Sequence, residues 1–407
     1  MGGYQMTKHE IAPEPRIRWV IVLAAALSMA IAMGMLVNGM SAFLVPLELH
    51  FGWDRAEVAA INSFGLIGIA LGGIAMGFLA DNIRTRTVCL IGAIAMSLAL
   101  MIAAHAQSLW QFYALFFAAG ALDGGAFFAP VIALVGGWFR KGAGLAIGIA
   151  SAGQALGQGL VPYGAGYLIQ VTGWQNALTY IGIFSAATLI PLSFGMIEPP
   201  KAKGAVGEIT NDSPELSSRI IRPALSIAAL GCCAAMAVPL MHLVPLIQSV
   251  SGVGAEAGGP LLLMLVAAIA GRIFFGRLAD IIGPMRAWMV ATVWQTTLMM
   301  GFMALGSMQA FWYFAPLYGF GYGGVMTGLL VSVRALTPQS RRASATGIIL
   351  AFAWMGHAFG GWQGGLSFDL TGTYFWAFTN ATVFGLINLA IIGPMYLILH
   401  RRSLFAS

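Results

Sequence analysis

Apolar residues in this chain come in long blocks rather than in the one-sided stripes of a water-soluble helix. About 20 mostly apolar residues are enough for a helix to cross a bilayer core. Twelve blocks reach that length, at 17–45, 58–80, 87–106, 111–136, 144–169, 176–197, 222–249, 258–279, 286–306, 310–334, 343–368 and 376–399. The connections between them are short and rich in Gly, Pro or charge, the residues that punctuate helices. One polar stretch is longer, 198–221, "EPPKAKGAVGEITNDSPELSSRII". The pattern predicts an all-α membrane protein of twelve transmembrane helices. Residues 1–197 form one six-helix bundle, 198–221 a cytoplasmic linker and 222–407 a second bundle.

Composition sharpens this picture. The chain is 59% hydrophobic and only 8% charged, against about 25% charged in an ordinary soluble domain. Its net charge of +6 does not point to nucleic acid, because the basic residues flank the apolar blocks. With the N-terminus placed in the cytoplasm, eighteen of the 20 Lys and Arg residues fall on or near the cytoplasmic side. They run from Lys8, Arg16 and Arg18 through Lys201 and Lys203 to Arg401 and Arg402. Arg55 faces out and Arg272 lies in the membrane. This positive-inside bias predicts both termini in the cytoplasm and a plasma-membrane location, the inner membrane of a bacterium. Three cysteines, Cys89, Cys232 and Cys233, lie in or beside apolar runs and offer neither a disulfide framework nor a metal spacing. The N-terminal "MGGYQMTKHEIAPEPRIR" lacks the short core and small-residue site of a cleaved leader. No phosphate-binding Gly-x-x-x-x-Gly-Lys-Ser/Thr loop and no His-Glu-x-x-His pair occurs. The chain is read as a non-enzyme without metal or cofactor.

Laid on itself with a shift of 199 residues, the chain repeats. Gly77-Phe78-Leu79-Ala80-Asp81 meets Gly276-Arg277-Leu278-Ala279-Asp280, and Val45-Pro46 meets Val244-Pro245. Gly120, Gly124 and Gly125 meet Gly319, Gly323 and Gly324, while Thr172-Gly173 meets Thr371-Gly372. Two parallel repeats place a binding site between the halves, near the midplane.

Within that frame a few residues carry chemistry. Arg272 sits in "VAAIAGRIFFGRLAD", inside the eighth block. A mid-membrane Arg costs roughly 2.5–3.5 kcal/mol on insertion scales. Its repeat mate is Gly73, so the fold itself needs no cation there. A guanidinium in that setting is a bidentate seat for a carboxylate; a structural ion pair is the plainer alternative. His357 stands in an apolar block and can carry a proton near neutral pH, or simply pack against a carbonyl; His242 is a weaker case. Asp123, whose mate is Tyr322, can pair with Arg272, carry a proton, or lie protonated against a helix backbone. Tyr318 and Tyr322, four apart, and Trp354 are candidate walls of a small pocket. Asp81 and Asp280 end helices at the cytoplasmic face, where each can meet a neighbouring helix N-terminus or a loop Arg such as Arg84, Arg86 or Arg286. That would latch a gate.

The phrases "GFLADNIRTR" (77–86) and "GRLADIIGPMR" (276–286) resemble the loop signature of the major facilitator superfamily, Gly-x-Leu-Ala-Asp-x-x-Gly-x-Arg/Lys. The second copy keeps its later Gly283, whereas the first has Arg84 there. "FGWDRAEVAAINSFG" (51–65), Trp138-Phe139 with the basic pair Arg140-Lys141, and "GLAIGI" followed by Gly173-Trp174 are similar to the monocarboxylate transporter and oxalate:formate antiporter branch. The resemblance implies two bundles of six helices working by alternating access, with Arg272 as the family's eighth-helix Arg. Animal members have an Asp one turn earlier, where this chain has Ala268, and a first-helix Lys, where it has Asn38. The oxalate:formate type has Trp-x-x-Lys in the eleventh helix, and here the run is Trp354-Met355-Gly356-His357. The expected function is symport of a small carboxylate, lactate-like or pyruvate-like, with a proton passing through His357 or, second, Asp123. Oxalate/formate-type or dicarboxylate exchange is the alternative, and a non-transporting anion sensor is a third. The expected partners are the carboxylate, the proton and the lipid bilayer, with the chain acting as a monomer.

Overall fold

The computed structural model describes residues 16–199, 218–251 and 255–405. The N-terminal stretch and most of the 198–221 segment, with Lys8, Lys201 and Lys203, lie outside the described residues, as do the side chains of Arg55, Arg219, Arg401 and Arg402. The described residues build twelve helical segments and no strand. In the first half they are α1 (Ile17–Phe51), α2 (Arg55–Asn82), α3 (Thr85–Ala103), α4 (Leu109–Trp138), α5 (Ala143–Thr172) and α6 (Trp174–Phe194). In the second they are α7 (Ser218–Ser251), α8 (Gly258–Ile282), α9 (Pro284–Met299), α10 (Met308–Leu336), α11 (Arg342–Thr371) and α12 (Phe375–Phe405). Eleven of them are long and apolar enough to cross a membrane. The exception is α9, whose 16 residues are prolonged by the 3-10 turn Met300–Ala304.

Lipid cannot satisfy a bare helix end, so polar caps set where the helices begin. At the start of α2 the Asp54 amide donates to Glu57 Oε2 at 3.1 Å, and at the start of α4 the Ser108 amide donates to Gln111 Oε1 at 3.1 Å. Two helices are locally widened: α1 has a π turn at Gly34–Asn38 and α4 another at Gly120–Gly124. The loop after α8 turns through Gly283 at φ 94°, a conformation that suits only glycine well. Its mate Arg84 sits at φ −65°, ψ 132°, which any residue adopts. That is why the first copy of the repeat tolerates an arginine there.

The repeat seen in the sequence is a repeat of packing. In the first bundle α1 packs on α5, α2 on α4 and α3 on α6; in the second α7 packs on α11, α8 on α10 and α9 on α12. The bundles meet crosswise, α5 against α8 and α2 against α11. Bare backbone makes these crossings close. A Cβ on Gly148 would lie 2.4 Å from the Arg272 carbonyl oxygen, and one on its mate Gly347 would lie 2.1 Å from the Gly73 oxygen. With the twelve helices alternating in direction, the start of α1 and the end of α12 lie on one face, called here the terminal face, together with the α2–α3 and α8–α9 loops.

Candidate functional site

Where the bundles meet at mid-depth, a small cavity is walled by Arg272 and Tyr322 from one bundle, Gln154 and Gln158 from the other, and Trp354 and His357 of α11. Cys233 and Met236 of α7 and Val37 from the π turn of α1 complete much of the wall. The cavity encloses about 20 Å³ in this state, room for roughly one water. An anion therefore enters only as the walls separate.

Arg272 is 2% exposed. Its Nη1 donates to the Ser151 carbonyl oxygen at 3.0 Å and to Gln154 Oε1 at 3.3 Å, both on α5 of the opposite bundle. Its Nε is buried with no hydrogen-bond partner. A buried guanidinium with neutral acceptors and an unused donor retains most of its demand for an anion. The bonds it does make tie the two bundles together beside the cavity.

Below the cavity, towards the terminal face, two carboxylates act as mutual mates. Asp81 accepts from the amides of Ala343 (3.1 Å) and Ser344 (3.0 Å), at the start of α11. Asp280 accepts from the amides of Gly144 (2.8 Å) and Leu145 (2.9 Å), at the start of α5. Donors and acceptors all correspond under the 199-residue shift. Each carboxylate thus satisfies two orphan amides and the positive end of a helix belonging to the other bundle. A third tie has no mate. Arg334 Nε donates to the Gly136 oxygen at 2.8 Å and its Nη2 to the Phe139 oxygen at 2.6 Å, capping the end of α4 from α10. These crossings gather on the terminal half and tie the two bundles together there.

Not every expected residue reaches these places. Tyr322, Trp354, His357 and Arg272 share the cavity wall. Tyr318 does not: it is fully buried inside the second bundle, with its ring 5.1 Å from that of Phe302. Asn38 stands beside the wall and donates to the Gln158 carbonyl oxygen at 3.2 Å. Asp123 is not paired with Arg272; it is fully buried in the π turn of α4, and neither carboxyl oxygen has a partner. Its backbone lies against α3, where a Cβ on Gly92 would come 3.0 Å from the Asp123 Cα. His242 packs as a structural residue, its Nε2 2.8 Å from the Gly361 oxygen. The loop arginines are not partners of the two aspartates. Arg84 is exposed, Arg86 stacks 4.1 Å over the Phe194 ring, and Arg286 donates to the Tyr396 hydroxyl at 2.5 Å. Gln154, Gln158 and Arg334 are the residues the sequence reading passes over. The only signal for the glutamines is a pair of amides four apart in an otherwise apolar helix.

Paired bundles that meet around a cavity holding a buried cation, and are tied together at one face, are the build of a transporter working by alternating access. The Major Facilitator Superfamily model matches residues 22–361. The chain belongs to that superfamily and is one of its transporters. It is 26% identical over 391 residues to the MFS-type transporter YcxA of Bacillus subtilis, with 88% of this chain and 90% of that protein covered. It is 24% identical over 388 residues to monocarboxylate transporter 13 of Rattus norvegicus, covering 92% and 88%. Its fold is similar to the crystal structure of FucP in the outward conformation, with a TM-score of 0.73, 12% identity, and 93% of this chain and 99% of that one covered.

Proposed function

We propose that this transporter moves a small monocarboxylate of the lactate or pyruvate type together with a proton. The observation that carries the reading is Arg272: a buried guanidinium in the inter-bundle cavity, held by neutral groups, with its Nε free of any partner. A carboxylate is the group that completes such a donor edge. The remaining wall is largely apolar, which suits a short carbon chain. Similarity to monocarboxylate transporter 13 supports the same class. The bias of Lys and Arg supports a cytoplasmic terminal face, so the ties described above lie on the cytoplasmic side of a bacterial inner membrane. One chain encloses the whole cavity, in keeping with a working monomer.

Uptake of labelled lactate, pyruvate, formate and oxalate into proteoliposomes, with and without an inward pH gradient, tests the reading. Gradient-stimulated uptake of the monocarboxylates is the expected result. Strict exchange of oxalate, independent of the gradient, would instead favour antiport, with His357 in the same wall as the second positive group.

For the proton, His357 is the first candidate because it lines the cavity with Arg272. Protonation there adds positive charge where the anion binds, which couples the two with the correct sign. Asp123 stands second, since its buried carboxyl has no donor to stabilise a charge. His357→Gln is expected to lose gradient-driven accumulation while exchange with internal substrate survives. If Asp123→Asn behaves in that way and His357→Gln does not, the proton belongs to Asp123. If both variants keep the pH dependence, symport through these groups is refuted.

A further inference from the structure

Gln154 has a forced orientation. A guanidinium only donates hydrogen bonds, so the amide must turn its oxygen to Arg272, as it does at 3.3 Å. The Nε2 group is thereby left as a donor with no partner among the described residues, although the residue is only 2% exposed. Gln158, one turn along the same face of α5, also lines the cavity with its side-chain amide unbonded. The cavity therefore offers more donors than one carboxylate can use, and the surplus sits on the bundle opposite Arg272.

Resting on the monocarboxylate reading, we infer that Gln154 is a specificity-determining residue that selects acids with an oxygen on the carbon next to the carboxylate. When the carboxylate seats on the free edge of Arg272, the oxygen on C2 lies two bonds from the carboxylate carbon. The Gln154 amide, bonded to Nη1 of the same guanidinium, is a donor in the same cavity wall. A 2-hydroxy or 2-oxo oxygen accepts from it. An unsubstituted acid of the same length leaves the amide without a partner in the cavity, and sites built to bond such a group reject the analogue that lacks it. Arg272 thus recognises the acid, Gln154 reads its C2 oxygen, and the apolar walls from Met236 and Met326 accept the carbon chain.

Lactate and propionate are a matched pair that differ only in the 2-hydroxyl. Wild-type transporter is expected to take up lactate, and to be inhibited by lactate or pyruvate, at concentrations about 10- to 100-fold below those needed for propionate, the cost of one donor left without a partner. Gln154→Leu should bring that ratio close to one. Because Gln154 also positions Arg272, the variant can lose turnover altogether, so a second readout that needs no transport is included. Cys233 lines the same cavity, and substrate protection of its thiol from a small anionic thiosulfonate reports binding directly. Lactate should protect far better than propionate in the wild type and about equally in Gln154→Leu. Equal use of the two acids by the wild type, or an undiminished preference in Gln154→Leu, overturns the role of Gln154 and leaves the monocarboxylate reading standing. If neither acid is transported nor protects Cys233, both readings fall together.

Discussion

Arg272→Ala should abolish anion uptake while leaving a folded, inserted protein. The side chain is 2% exposed and its guanidinium lies at the junction of the two bundles. Removing a buried, hydrogen-bonded charge from a binding site costs roughly 2–5 kcal/mol of affinity, about 30-fold to several thousand-fold. Arg272→Lys should also be poor, because an ammonium cannot offer the parallel donors of a guanidinium. Folding should survive for a reason visible in the repeat. The mate of Arg272 is Gly73, which makes the equivalent helix crossing against Gly347 without any side chain. The crossing therefore depends on the backbone, and the cation is an addition to it. Uptake and thermal stability measured on the same purified variant check both halves. Wild-type uptake by Arg272→Ala would remove the carboxylate seat. Loss of the folded protein would make Arg272 a structural strut, tied to Ser151 and Gln154.

How much of this was legible before the structure depended on whether the feature repeats. The twelve blocks and the two aspartates follow from period and register, because both halves obey the same packing, whereas the crosswise contact of α5 with α8 and α2 with α11 is seen only in the structure. Arg272 was legible for the opposite reason, as an expensive residue where its mate is glycine. What resisted reading is asymmetric or depends on side-chain direction. Arg334 has Val135 as its mate, so the shift gives no hint of its cap on α4. Tyr318 and Tyr322 share a helical face but differ in depth by one turn. At one level that face meets the cavity, and at the other it meets Phe302. Asp123 lies in a π turn, whose extra residue rotates side chains away from the directions a regular helix predicts. Gln154 was hidden by its surroundings. Gly148 and Gly157 of "GAGLAIGIASAGQALG" provide close packing, and the amide between them is informative only once its partner is seen.

The same symmetry makes a sharper prediction about the gate. Asp81→Asn and Asp280→Asn should each shift the transporter towards states open at the terminal face, and by similar amounts. Each carboxylate takes two backbone amides of the opposite bundle. An asparagine can accept one of them with its oxygen, but it turns an NH₂ donor against the other and loses the charge that complements the helix end. Hydrogen bonds to charged groups are worth about 1.5–3 kcal/mol, so losing most of one latch should change the balance of states about 10- to 100-fold. The two latches share no partner, and their effects should add in the double variant. Arg334→Ala removes the unmatched tie to Gly136 and Phe139 and should move the balance in the same direction. Alternating access needs both states, so a transporter that rests open at one face should turn over slowly even with its cavity intact. Thiol accessibility of single cysteines placed at each face reads the shift. Cys233 protection, measured alongside, should show the anion still binding. If accessibility is unchanged at both faces in Asp81→Asn and Asp280→Asn, the bonds hold helix ends without holding the gate. If only one responds, the two halves do not share the work their symmetry implies.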